Sequence, residues 1–348
     1  MSYSILLFGL VFILLILLGG TVLFFRKIWI LNSRIRHYTL NIFTTLYTVV
    51  FLCLIIEISF YFFVAQSDSF SFTLANQRWF EKYWSPINQF GYRDDTYSEQ
   101  QLNEKKLIFV VGDSFVAGQG IRHYQDRFSS RLQVKLDSHW QVINLAQVGW
   151  STSDQYQAIV AYPHKPAILI LSYFVDDIRG IAKQHLSNSQ FDFGELITPP
   201  PSSIRWLVNH SYFANFYYWQ WYRYQNQQPE DVYWRKLRSF YENDEIWALH
   251  QQELKSIVDY TQQNNVVLFV IMFPNLISVE PSQPIIQRVH DYLETLGVDT
   301  LDLTSLFVHK KPDELIVNRM DAHPNEQVNL EVADVLFQEM NKRGFFSK

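Results

Sequence analysis

A chain of 348 residues has room for one large or two small domains and ample length for a buried core. Its formal net charge of -5 gives no electrostatic footprint for nucleic acid. A single cysteine, Cys53, excludes an internal disulfide, and the absence of CxxC, HExxH and GxxxxGK[ST] patterns points to no metal or nucleotide cofactor.

The amino-terminal 25 residues carry no charge, and residues 4–25 form an apolar run long enough to cross a bilayer. Arg26, Lys27, Arg34 and Arg36 follow, and a second apolar run at about 39–65 holds only one ionisable side chain of note, Glu57. Two spans joined by a short basic loop read as a transmembrane helical hairpin over residues 1–66. The positive-inside rule places the loop in the cytoplasm and everything after Ala65 outside. A cleaved signal peptide is the competing reading of the first run. Against it, no basic residue precedes the apolar stretch and no small-x-small site ends it. Glu57 invites a functional role by its place in a span, but near the outward end it can be protonated or reach the headgroups.

Residues 67–104 are polar and turn-rich and read as a linker and approach segment. Leu107-Ile108-Phe109-Val110-Val111 then reads as a buried parallel strand, broken at its carboxyl end by Gly112-Asp113-Ser114. Helical spacing over 126–136, a short strand at 142–145, a helix at 154–162 and a strand at 167–171 continue the alternation, which argues for a parallel sheet. Residues 180–245 interrupt it. Pro199-Pro200-Pro201 is a break, and the stretch after it is crowded with aromatic side chains such as Tyr212, Phe216, Trp219 and Trp221. Such an insert fits a lid or substrate platform that also meets the membrane interface, and equally a helix packed on the sheet. A helix at 246–263, a strand at 265–272, a helix at 284–296, a strand at 298–303 and a closing helix at 326–343 complete the chain.

The chemistry-bearing residues stand at strand ends. Ser114 follows the first strand, at the edge where open α/β sheets bind ligands. Asp321-Ala322-His323-Pro324-Asn325 brings an acid and an imidazole to the start of the closing helix. A serine hydroxyl needs a base within hydrogen-bond reach, and the base needs an orienting carboxylate. Ser114 as nucleophile, His323 as base and Asp321 as its partner meet those needs. His164, His210, His250, His290 and His309 lack any ligand spacing and read as surface or core residues.

At these residues the chain resembles the SGNH (GDSL-type) hydrolase and acyltransferase superfamily. Gly112-Asp113-Ser114-Phe115 matches its first block, and Val148-Gly149-Trp150-Ser151 stands where the second places its glycine. Phe174-Val175-Asp176-Asp177-Ile178 stands at the third, and Asp321-Ala322-His323-Pro324-Asn325 matches the last. The likeness covers roughly residues 105–345. It implies a flavodoxin-like three-layer α/β/α sandwich over 105–348, with the aromatic insert inside it, and acyl transfer through a serine ester. It also implies an oxyanion hole made by the backbone N–H groups of Ser114 and Gly149 and by the side chain at position 176. There the chain departs from the family, carrying Asp176 in place of asparagine. An ionised carboxylate accepts hydrogen bonds and donates none. Either Asp176 is protonated in a dry site, or another donor such as Asn275 substitutes, or the hole is weaker. By analogy with membrane-tethered relatives, residues 86–93 lie over the active face. Asp113 and Asp177 read as loop braces and not as chemical groups.

Three functions follow. One is a membrane-anchored serine esterase in a bacterial inner membrane, its domain facing the periplasm and cleaving small acyl esters without a cofactor. The second is an O-acyltransferase acting on an envelope polysaccharide, with an acylated glycan as substrate. The third is a catalytically impaired relative that binds glycan or protein.

Overall fold

Apolar runs that are buried on both faces of a sheet need helices above and below them, and the strands obtain them here. The structure, a computed structural model, describes residues 8–9, 11–16, 18–20, 33–69, 73–187, 198–226 and 230–346. Strands β1 (Lys106–Gly112), β2 (Trp140–Ala146), β3 (Ile168–Phe174), β4 (Val267–Phe273) and β5 (Asp299–Asp302) form one all-parallel sheet in the order β2-β1-β3-β4-β5. That is the flavodoxin-like order, and it bears out the expected α/β/α sandwich.

Successive side chains of a strand point to opposite faces, so β1 feeds two cores. Leu107, Phe109 and Val111 join one, with Ile159, Ile181, Leu237, Ile257 and Val289 from the helices Thr152–Ala161, Arg179–His185, Glu230–Glu242, Asp244–Gln263 and Gln283–Thr295. Ile108 and Val110 join the other, with Leu132, Val332 and Leu336 from the helices Phe128–Lys135 and Glu326–Lys342. Each fully buried side chain of this kind contributes about 1.5–3 kcal/mol. The helices expected from 126, 154, 246, 284 and 326 begin at Phe128, Thr152, Asp244, Gln283 and Glu326, and side-chain caps explain two of those starts. Asn243 accepts from the Ile246 N–H, and Asn325 accepts from the Val328 N–H.

The chain divides into two compact units. One comprises the described parts of Ser67–Ser69, Phe80–Leu196 and Gln228–Lys348 and contains the sheet. In it, residues expected as a linker are built into the interior. Arg93 is 1 % exposed and donates to the carbonyls of Tyr83, Gly118 and Ile121. Asp94 pairs with buried Arg127 at 3.2 Å and accepts from the Asn144 N–H. A hairpin that periodicity does not reveal, β6 (Ile316–Asn318) with β7 (Asp321–Pro324), precedes the closing helix.

The other unit comprises the described parts of Met1–Gln66, Phe70–Trp79 and Ile197–Gln227. Its helix Ser33–Phe63 is long and apolar enough to cross a membrane. Of the other expected span, 4–25, residues 8–9, 11–16 and 18–20 are described and helical, and the rest of it and residues 26–32 lie outside the described residues. Within this unit the aromatic helix Tyr212–Gln225 packs on Ser33–Phe63, with Phe60 against Phe213 at 5.2 Å and Tyr61 against Tyr212 at 5.4 Å between ring centroids. Glu57 does not reach outward. Its carboxylate is 3 % exposed and accepts from Ser211 Oγ and the N–H groups of Tyr212 and Phe213, at the start of that helix. A carboxylate there satisfies orphan donors and complements the helix dipole. The aromatic stretch thus divides between the units: Tyr212–Gln225 packs on the apolar helix, whereas Trp234 and Phe240 are buried in the core beside the sheet.

Candidate active site

The order β2-β1-β3 makes the carboxyl ends of β1 and β3 a topological switch point, where open α/β sheets leave a crevice. Ser114 opens a short helix, Ser114–Ala117, directly after β1. Two features allow so abrupt a turn. Asp113 caps it by accepting from the Phe115 N–H at 2.9 Å. Gly112 supplies space, because a Cβ there would lie 2.5 Å from Val116 Cγ2 and 3.1 Å from Ser172 Cβ.

The β6–β7 hairpin delivers the other residues. His323 Nε2 lies 2.7 Å from Ser114 Oγ, and His323 Nδ1 is hydrogen-bonded to Asp321 Oδ1. Asp321 is fully buried, and Ser114 and His323 are each 8 % exposed. The ring orientation follows from charge. The Nδ1–H donates to the carboxylate, which leaves Nε2 to accept from the serine hydroxyl. Burial alone pushes the imidazole down. The Asp321 carboxylate and its hydrogen bond, with the charges of Asp113 and Asp68, outweigh that and hold His323 above its ordinary value.

The carboxylates behind the serine are raised too, but by burial, which favours their neutral form. Burial pushes Asp113 up to about 6, against the hydrogen bond from Phe115 and the attraction of His323. Asp177 is raised well above the usual range, first by burial and then by the neighbouring Asp113 charge. Its Oδ2 accepts from the Phe174 N–H at 3.2 Å, so both groups do brace loops.

Asp176 is engaged as an acceptor on both oxygens. Arg179 donates to one at 2.8 Å and the Tyr233 hydroxyl to the other at 2.9 Å. With both oxygens accepting, neither is placed as the donor an oxyanion requires. Asn275 hydrogen-bonds Tyr233 through its side chain, and its Oδ1 accepts from the Ile277 N–H. Gly149 sits on the exposed loop after β2 with φ of +80°, a conformation glycine adopts at no cost. Beside it, Trp150 meets Tyr92 of the approach segment edge-on at 5.8 Å.

Two parts of this environment escape sequence reading. Arg93 and its neighbours look like turn residues but fasten the loop after Ser114. Ser67, in a polar tract expected as linker, donates to the free oxygen of Asp321. Neither belongs to a spacing pattern that would have marked it.

Comparison with known proteins gives the following. No family model matches the chain, and no curated protein matches it. Solved structures do, among them a putative lipolytic protein of the G-D-S-L family from Desulfitobacterium hafniense DCB-2. It is 12 % identical with a TM-score of 0.39, covering 67 % of this chain and 99 % of that one. The psychrotrophic esterase EstA from Pseudoalteromonas sp. is similar at 14 % identity and TM-score 0.38, over 68 % and 98 % of the two chains. AlinE4, an SGNH-hydrolase family esterase, is similar at 16 % identity and TM-score 0.35, over 69 % and 97 %.

Proposed function

We propose that this chain is a membrane-anchored serine esterase of the SGNH/GDSL type, hydrolysing an ester of a small acyl group. The observation that carries it is the relay Asp321–His323–Ser114, with Nε2 2.7 Å from Oγ. His323 Nε2 takes the hydroxyl proton as Ser114 Oγ attacks the carbonyl carbon. Asp321 stabilises the imidazolium that forms. The backbone N–H groups of Ser114 and Gly149 serve the oxyanion, and the engaged Asp176 stays outside the hole as an anchor for Tyr233. Collapse expels the alcohol, which receives the proton from His323. The acyl-serine is then hydrolysed by water activated through the same imidazole.

The apolar helix Ser33–Phe63 supports the anchor, and Arg26, Lys27, Arg34 and Arg36, before it and in its first turn, support a domain outside the cytoplasm by the positive-inside rule. Transfer to a sugar hydroxyl would use the same acyl-enzyme, with the acceptor replacing water. The test is labelling of the full chain by a fluorophosphonate and turnover of p-nitrophenyl acetate, with and without a glycan acceptor. Loss of both signals in Ser114→Ala and His323→Ala establishes the reading. A folded wild type that neither labels nor turns over sinks it.

A further inference from the structure

Asp321 accepts from a second, buried hydrogen-bond donor that the proposed relay does not use. Its Oδ1 faces His323, while its Oδ2 accepts from Ser67 Oγ. The two residues are 254 positions apart, yet Ser67 is 1 % exposed and Asp321 fully buried. The hydroxyl therefore meets that carboxylate away from water.

The segment that carries it is fastened at several points to the hairpin holding the imidazole. Asn318 Nδ2 donates to the Ser67 carbonyl at 3.1 Å, and the Ser69 N–H donates to the Met320 carbonyl at 2.9 Å. The Ala322 N–H donates to Ser69 Oγ at 2.9 Å, between the acid and the base in sequence. From the serine side, Gln119 Nε2 donates to the Asp68 carbonyl at 2.8 Å. Gly120 leaves room for the carboxylate. A Cβ there would stand 3.0 Å from Asp321 Oδ2 and collide with Val317 Cγ2 at 2.4 Å.

We infer that Ser67 is a positioning residue of the esterase, fixing the plane of Asp321 and through it the orientation of His323. The inference rests on the proposed esterase reading. Its physics is that of outer partners generally: a carboxylate with one free oxygen rotates and is a stronger base. One with both oxygens engaged holds a single geometry and shares its charge between two donors. The charged groups around the imidazole are Asp321, Asp113 from the end of β1 and Asp68 from the same segment as Ser67. Removing the hydroxyl leaves all three in place.

The test is a Ser67→Thr and Ser67→Val pair in the full chain in detergent. The two side chains match in shape and differ in the hydroxyl, so both are expected to fold. Active sites are titrated with a fluorophosphonate, and turnover of p-nitrophenyl acetate is followed against pH. Ser67→Thr is expected to keep wild-type kcat per titrated site. Ser67→Val is expected to lose about tenfold to a hundredfold in kcat with KM little changed, the range for a lost hydrogen bond to a charged group. Its acid limb should move to higher pH, because the unshared carboxylate holds the imidazolium proton more tightly. Equal kcat per site and coincident pH profiles in the pair would overturn the inference while leaving the esterase intact. A wild type that does not label at all defeats the esterase reading itself, and so separates the two failures.

Discussion

His323 Nε2 stands 2.7 Å from Ser114 Oγ although the two residues are separated by 209 positions. The serine comes from the end of a central strand and the imidazole from a hairpin, so their meeting is a product of the tertiary fold. With Asp321 on the far side of the ring, the three form a unit, and removal of one member should resemble removal of all. Ser114→Ala and His323→Ala are each expected to lower p-nitrophenyl acetate kcat by at least about a thousandfold, and Asp321→Asn by a comparable factor. Steady-state kinetics on the purified variants checks this.

The acid limb of the rate follows from the charge on His323. The group must be neutral to act as a base, and its net shift is upward from 6.5, with burial outweighed by the Asp321 carboxylate. The kcat/KM of the wild type should therefore rise with pH through a midpoint above 6.5. A midpoint below 6.5 would mean that burial dominates.

Asp176 should not behave as a failed oxyanion donor. With Arg179 and Tyr233 on its two oxygens, the Asp176→Asn change gives up an ion pair and gains no donor aimed at the reaction. Its kcat is expected to stay level or fall. A rise of tenfold or more in Asp176→Asn, measured on the same ester, would place the side chain in the hole, since one such donor is worth roughly a hundredfold or more.

Asp113 makes a pH-dependent contribution to stability. Its folded-state value is raised to about 6 by burial, from an ordinary 3.8. Its contribution is fully present below 3.8 and is lost as the pH rises through 6, because the folded state then holds an ionised buried carboxyl. Asp113→Asn, which keeps an acceptor for the Phe115 N–H, should gain stability over wild type above pH 6, by about 1–3 kcal/mol, and little near pH 4. Thermal unfolding at the two pH values reads the difference.

The Asp94–Arg127 pair should be structural. Arg127 is fully buried and its ion pair with Asp94 measures 3.2 Å. Asp94→Ala strands the guanidinium and the Asn144 N–H, and is expected to cost about 3–5 kcal/mol. Chemical denaturation of the variant measures it.

The sequence by itself determined the alternation of strands and helices, and with it the class of the sheet. A five-residue apolar run such as Leu107–Val111 has no soluble alternative to burial on both faces. It determined the chemical inventory as well, because a serine at one strand end and an acid–imidazole pair before the last helix are local patterns. What it could not fix were relationships whose partners share no local spacing. Ser67 and Asp321 lie 254 positions apart, and a polar Gln-Ser-Asp-Ser tract looks like linker until a buried carboxylate is found beside it. Arg93 reads as a turn residue, yet it is buried among the carbonyls of Gly118 and Ile121 in the loop after Ser114 and of the distant Tyr83, which accept from it. Glu57 reads as a stray charge in a span until Ser211 and the start of a distant helix supply its donors. Asp176 could be identified as a departure from asparagine, but only tertiary structure decided that Arg179 and Tyr233 occupy it. Periodicity reports which face of an element is apolar. The partner of a polar atom depends on where the whole chain closes, and only the tertiary fold decides that.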